Sequence, residues 1–169
     1  VQDVFEISRA ASGQLPLKME RLDLGKLLRQ TLADRKDTIE ETSFQLRVNL
    51  PEEEVMVLAD GQRMYRVFAN LIENALKYSL EGSRIFLTLK KEDGKAEVRI
   101  QNTSKEELKE GKDFTERFVR GDESRTDGGS GLGLSIAKSF TEACGGDFHV
   151  ETAGDSFTVI IAFPEDGER

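Results

Sequence analysis

The sequence has one cysteine, one histidine, three prolines and no tryptophan in 169 residues, and each scarcity closes off a class of protein. A lone Cys144 excludes a disulfide framework and a thiolate metal site. On an apolar helical stretch it reads as a small buried hydrophobe rather than a nucleophile. A lone His149, in "DFHVET", reads as a sheet-face side chain. No long hydrophobic run is present. "VIIAF" is far short of the roughly 20 apolar residues that span a bilayer, and no signal-like segment opens the chain. The expectation is a soluble, cytoplasmic domain. "NTS" at Asn102–Ser104 matches a glycosylation acceptor, but without secretion signals it carries no weight. Basic residues are also outnumbered, 24 to 32, for a formal charge of −8. That balance argues against nucleic acid as the main partner, because phosphate backbones are held by basic surfaces. It does not argue against a phosphorylated small molecule, since local geometry can overrule net charge.

What is present is a well-punctuated alternation of helices and strands. "VQDVFEISRAASG" begins as a helix and fades at Ser12-Gly13, and "LPLKMERLDL" is extended. Asp23 is a candidate N-cap for a helix over "LGKLLRQTLADRKDTIEE". "FQLRVNLP" alternates as a strand and "VMVLAD" is a second candidate. In "GQRMYRVFANLIENALKYS", Met64, Val67, Phe68, Leu71, Ile72 and Ala75 recur at helical spacing and mark a strongly amphipathic helix. "RIFLTLKK" and "AEVRIQN" form a hairpin around Asp93-Gly94. A polar stretch from Thr103 to Gly129 has no strand pattern, and compact domains rarely carry one so long without a use for it. A glycine cluster, a helix ending at Gly145-Gly146 and the strands "DFHVET" and "SFTVIIAF" complete the chain. The predicted fold class is α/β: a two-layer sandwich whose mixed sheet has one face covered by helices.

Two stretches carry chemistry. On the amphipathic helix Asn70, Asn74, Lys77 and Tyr78 fall at 0, 4, 7 and 8, one stripe about 120° from the centre of the apolar face. Singly, each is most simply a solvated polar residue. Together they suit a Mg²⁺–phosphate surface: amide oxygens are hard, neutral ligands, and lysine adds a point charge for phosphate oxygens. The second stretch is "GGSGLGLSIAKSF", with four glycines between positions 128 and 133. Glycine ordered in a regular element costs about 0.5–1 kcal/mol relative to alanine, so such a cluster needs a use for bare backbone. Leu134 stands where a P-loop requires lysine, and the spacing is not that of the dinucleotide fingerprint. What remains is a set of free N–H groups at a helix start, a natural anion site.

Taken in order, "NLIENALKYS", "FTERFVRGDESR" and "GGSGLGLSIAKSF" resemble the ATP-binding catalytic domain of bacterial two-component sensor histidine kinases. That group shares the Bergerat-type fold with Hsp90, DNA gyrase and mismatch-repair ATPases. The resemblance covers about residues 20 to 164 and implies ATP and Mg²⁺ as ligands. It implies that Asn70 and Asn74 engage the metal and the triphosphate, with Lys77 near phosphate and Tyr78 beside the nucleotide. Phe114 and Phe118 would pack a lid, and Arg120 would reach the γ-phosphate. Gly129, Gly131, Leu132 and Gly133 would form the phosphate cradle. Asn102 stands where the family has an adenine-binding aspartate. It still offers an oxygen to the adenine amino group, but a neutral acceptor makes a weaker bond than a carboxylate. The glycines that usually follow that aspartate are absent from "NTSKE". Ser156 falls where the family often has a threonine that helps to hold adenine through water.

The resemblance also implies a mechanism and partners. Asn70 stands where hydrolysing relatives have a water-activating glutamate, and asparagine is no general base. Transfer to a histidine, already nucleophilic near neutral pH, is the expected reaction. Catalysis would then rest on positioning and charge neutralisation, with Asn70, Lys77 and Arg120 as its residues. Glu73, at the flank of the stripe, reads as a solvated carboxylate. His149 lacks the acceptor context, so the phosphoacceptor would lie on a helical dimerisation domain outside this sequence. Residues 1–19 would be the end of that domain's second helix with its linker, and residues 20–169 the catalytic domain. The implied partners are that helical domain and the receiver domain of a response regulator. The implied parent is a homodimer, with membrane anchoring left open. Two rival readings remain: a Bergerat-fold ATPase or serine kinase, and a degenerate binding module that makes no use of ATP.

Overall fold

The computed structural model describes residues 2–108 and 133–166, with the side chains of residues 2–4 left aside. In chain order the elements are α1 (Gln2–Ala11), β1 (Met19–Asp23), α2 (Leu24–Asp34), α3 (Lys36–Glu40), β2 (Gln45–Asn49), β3 (Met56–Asp60), α4 (Gly61–Tyr78), β4 (Arg84–Glu92), β5 (Lys95–Thr103), α5 (Gly133–Ala143), β6 (Asp147–Ala153) and β7 (Ser156–Pro164). Five strands form one sheet in the order β2-β4-β5-β7-β6, and β1 pairs with β3 in a separate ribbon. Among the described strands only the β2–β4 pair is parallel, so the main sheet is mixed, as expected.

Strand alternation divides this sheet into two faces. Ile85, Leu87 and Leu89 of β4, Ala96, Val98 and Ile100 of β5, and Phe157, Val159, Ile161 and Phe163 of β7 are buried. They share one core with Leu24 and Leu28 of α2, Met64, Val67, Phe68, Leu71 and Ala75 of α4, and Ile136, Ala137 and Phe140 of α5. The opposite face carries Phe86, Glu97, Arg99, Gln101 and His149, of which Phe86, Gln101 and His149 are exposed and Glu97 and Arg99 half-buried. Helices on one face and a largely polar second face give the two-layer sandwich that the alternation predicts.

Local chemistry sets the element ends. Asp23 caps α2 by accepting from Gly25 N–H at 3.0 Å, and Asp60 caps α4 by accepting from Arg63 N–H at 3.1 Å. Asp60 also accepts from Lys18 N–H at 2.7 Å, which ties the chain entering β1 to the start of α4. Asp93 and Gly94 adopt φ of 54° and 76°, the left-handed pair that a two-residue hairpin turn requires. One expectation needs correcting. The helix expected from Leu24 to Glu41 breaks at Arg35, whose φ and ψ are −114° and 14°. Its guanidinium turns instead to Tyr65 Oη at 3.0 Å and to Glu73 Oε2 at 3.0 and 3.1 Å, pinning the corner to α4.

Candidate nucleotide site

Asn70 and Asn74 lie one turn apart on α4 and are both half-buried. Among the described residues neither carboxamide makes a side-chain hydrogen bond. α5 packs against α4. The two helices run antiparallel. Phe140 lies beneath Arg63 and Arg66, whose guanidinium carbons are 5.1 and 5.8 Å from its ring centroid. One turn later, Cys144 reaches the backbone of Asp60. Stepping back seven residues from Phe140 to Gly133 covers about 10 Å of helix axis and brings the start of α5 beside the Asn70–Asn74 turn. The first N–H groups of α5 have no partner within the helix, and the positive end of its dipole lies there. Among the described residues nothing stands where a Cβ of Gly133 would lie, so their packing does not require glycine at this position. A bare backbone beside two unpartnered amides suits the close approach of an anion with its metal.

The C-terminus of α4 is sewn to the end of β5. Leu80 N–H donates to Thr103 O at 2.8 Å and Lys105 N–H to Tyr78 O at 3.0 Å, flanking a bridge between Ser79 and Ser104. This seam brings the end of β5, with Asn102, alongside Tyr78. Asn102 is buried and projects to the helix-covered side with Ile100. Lys77 sits 5.4 Å from the Tyr78 ring centroid and forms no ion pair among the described residues. Asn70, Asn74, Lys77 and Tyr78 therefore share the C-terminal half of α4, with Asn102 brought alongside its end by this seam.

Three other candidates do not join them. Ser156 lies opposite Thr103 in the β5–β7 register, on the face away from Asn102, where its hydroxyl accepts from Gln101 Nε2 at 3.0 Å. The helix-side residue opposite Asn102 is Phe157, because side chains alternate along β7. Glu73, a step of about 100° around α4 from Asn74, is held by Arg35 and points to the α2–α3 corner. His149 is exposed on β6, 3.7 Å from Glu151. Burial pushes the Cys144 thiol up from its ordinary range, in keeping with an inert core cysteine. Phe114, Phe118, Arg120, Gly129, Gly131 and Leu132 lie outside the described residues.

The sequence reading passed over a second cluster beside this site. Glu6 of α1 accepts from Arg63 Nη1 at 2.7 Å and from Arg66 Nη1 at 2.9 Å. Desolvation pushes its carboxyl up, but hydrogen bonds and charge from the two arginines outweigh that and hold it below the ordinary 4.5. Arg63, Arg66 and Asn70 follow one helical flank, which was legible. Their partner, 57 and 60 residues away in sequence, was not.

A helix-backed mixed sheet with paired carboxamides on one helix and a glycine-started helix packed against it defines the class: a two-layer α/β domain. Comparison with known proteins specifies it. The family described as "Histidine kinase-, DNA gyrase B-, and HSP90-like ATPase" matches residues 59–167, and the chain belongs to that family. It is 33% identical over 169 residues to the sensor protein VanSC of Enterococcus gallinarum, covering 98% of this chain and 46% of that protein. The sensor histidine kinase WalK of Bacillus subtilis is 30% identical over 178 residues, covering 99% of this chain and 29% of that protein. The chain thus spans less than half the length of these two relatives. The catalytic domain of histidine kinase ThkA superposes with a TM-score of 0.77 at 22% identity, covering 88% of this chain and 97% of that one. ThkA is also known in complex with response regulator protein TrrA. Full-length ShkA, solved with AMPPNP, gives a TM-score of 0.80 at 24% identity, covering 99% of this chain and 35% of that one. At these identities the two structures establish the fold: it is the α/β ATP-binding sandwich of histidine kinase catalytic domains.

Proposed function

We propose that this chain is the catalytic domain of a two-component sensor histidine kinase. It binds ATP with Mg²⁺ and presents the γ-phosphoryl group to a histidine on a helical phosphoacceptor domain. The observation that carries this reading is the pair of half-buried carboxamides of Asn70 and Asn74, unpartnered among the described residues, on the helix against which α5 packs. Family membership and the AMPPNP bound by ShkA support the choice of nucleotide.

Asn70 and Asn74 would hold Mg²⁺ through their amide oxygens, a hard and neutral donor set that leaves the metal's charge for the phosphates. Bound there, the metal neutralises charge on the phosphate oxygens. The N–H groups of the first turn of α5 donate to phosphate oxygens, and Lys77 turns from the Tyr78 ring to add a compact positive charge. Tyr78 flanks the nucleotide, and Asn102 accepts from the adenine amino group. By resemblance, Arg120 neutralises charge on the γ-phosphoryl group, Phe114 and Phe118 pack over the site, and Gly129, Gly131 and Leu132 extend the cradle. No general base stands on the stripe, since Arg35 holds Glu73 away and Asn70 cannot take a proton. Water attack is therefore disfavoured, and an imidazole nitrogen is the suited nucleophile. The P–O bond to the β-phosphate breaks as the P–N bond forms, and ADP leaves with the electron pair.

His149 is not the acceptor in this reading. Residues 1–19, including α1, belong to the end of the second helix of the dimerisation domain and its linker. The parent protein is a cytoplasmic or membrane-anchored homodimer that passes its phosphoryl group to a receiver domain, as the ThkA–TrrA pairing suggests. Incubation with γ-³²P-ATP and Mg²⁺ should leave the isolated chain unlabelled. Adding the helical domain should yield acid-labile, base-stable phosphate on that domain. Labelling at His149, or an acid-stable product, would overturn the assignment.

A further inference from the structure

The Glu6 cluster lies on the same two helices as the proposed phosphate cradle. One carboxylate, 12% exposed, receives both Arg63 and Arg66. Both guanidiniums cover the fully buried ring of Phe140 in α5. α1 packs along α5, and its Ile7, with Leu15 of the following linker, enters the same core as Phe140 and Ile136. Among the described residues, Glu6 is the carboxylate that both guanidiniums share above that ring. Phe140 is seven residues from Gly133 on a rigid helix, so whatever seats Phe140 also fixes where the first turn of α5 stands relative to Asn70.

We propose that Glu6, Arg63 and Arg66 are positioning residues: their clamp makes docking of α1 and binding of nucleotide mutually favourable by seating α5. The inference rests on the nucleotide reading of the site and adds its regulation. Displacement of α1 would take the shared carboxylate away from both arginines, loosen the seat of Phe140 and misplace the cradle, lowering affinity for the triphosphate without any change in the residues that touch it. Linkage then demands reciprocity: the factor by which docked α1 tightens nucleotide binding is the factor by which nucleotide tightens α1 docking.

The test uses the whole chain with MgAMPPNP as probe. Calorimetric affinity is measured for the unaltered protein, for Glu6→Gln, and for Glu6→Lys combined with Arg63→Glu and Arg66→Glu. Hydrogen exchange of residues 2–11 is followed with and without the probe. A coupling of ordinary size weakens binding about fivefold or more in Glu6→Gln. The charge-reversed variant should recover most of that loss, and MgAMPPNP should slow exchange in α1 of the unaltered protein by a matching factor. A merely structural contact would change α1 exchange but not affinity. Equal affinity in the unaltered protein and Glu6→Gln, with α1 exchange insensitive to the probe, would overturn the clamp while leaving the nucleotide site intact. Tighter binding by Glu6→Gln would overturn it too, since Glu6 would then be withholding positive charge. No binding by the unaltered protein would sink the nucleotide reading, and the clamp with it.

Discussion

Replacing Asn74 with alanine should move stability and affinity in opposite directions. The side chain is half-buried inside an 18-residue helix and has no hydrogen-bond partner among the described residues, so its removal breaks nothing in the free protein. Alanine is the better helix former by about 0.5 kcal/mol. For a chain of this size 1 kcal/mol corresponds to about 2–4 °C in melting temperature, so Asn74→Ala should melt about 1–2 °C higher. Its contact with a chelated cation behaves as a bond to a charged group, worth about 1.5–3 kcal/mol. MgATP affinity should therefore fall about 10- to 150-fold, while affinity for ATP without Mg²⁺ changes little. Asn70→Ala should act in the same sense. Calorimetry with ATP, in Mg²⁺ and in excess chelator, alongside a thermal melt, measures both quantities. A fall in melting temperature would show that the amide holds the fold together. Unchanged Mg²⁺-dependent affinity would show that it holds no ion.

Other perturbations test the framework that presents the site. Asp60→Ala removes a helix cap and the tie to Lys18 N–H at 2.7 Å. It should cost about 1–3 kcal/mol in urea titrations; a variant as stable as the parent would refute the tie. Gly146→Ala places a Cβ 2.8 Å from two Phe163 ring carbons, so about 1–3 kcal/mol of overpacking is expected on thermal melting. The depressed Glu6 carboxyl gives a pH signature. An unfolded glutamate titrates near 4.5 and the folded one lower, so its contribution is complete above that value and is lost as pH falls through the folded value. The stability difference between the parent and Glu6→Gln should shrink on acidification below about pH 4.5. A difference that grows there would reverse the sign of the argument.

The amphipathic stripe of α4, the Asp93-Gly94 hairpin and the closing strands were legible because each depends on local periodicity or turn chemistry. The break at Arg35 was not. Every residue from Leu24 to Glu41 tolerates a helix, and the break comes from bonds to Tyr65 and Glu73, 30 and 38 residues away. Asn70, Asn74, Lys77 and Tyr78 share one helix, so their spacing placed them together before any tertiary structure was known. Ser156 shows the opposite case. A position one residue from Phe157 on a strand projects to the other face, and proximity in sequence says nothing of side. The Glu6 clamp joins the first helix to α4, and no local signal marks a contact between them.

The central claim is that the Asn70 and Asn74 carboxamides and the first turn of α5 grip one magnesium-chelated triphosphate. Side-chain amide and backbone NMR signals of ¹⁵N-labelled protein, titrated with MgATP, test it most directly. The NH₂ resonances of both asparagines and the backbone amides of Gly133, Leu134 and Ser135 should shift together and saturate at one ligand concentration. In chelator the asparagine shifts should collapse. Silent asparagine amides, with saturable shifts confined to another surface such as the groove between α2–α3 and β2 lined by Leu32, Ile39, Leu46 and Val48, would contradict the account.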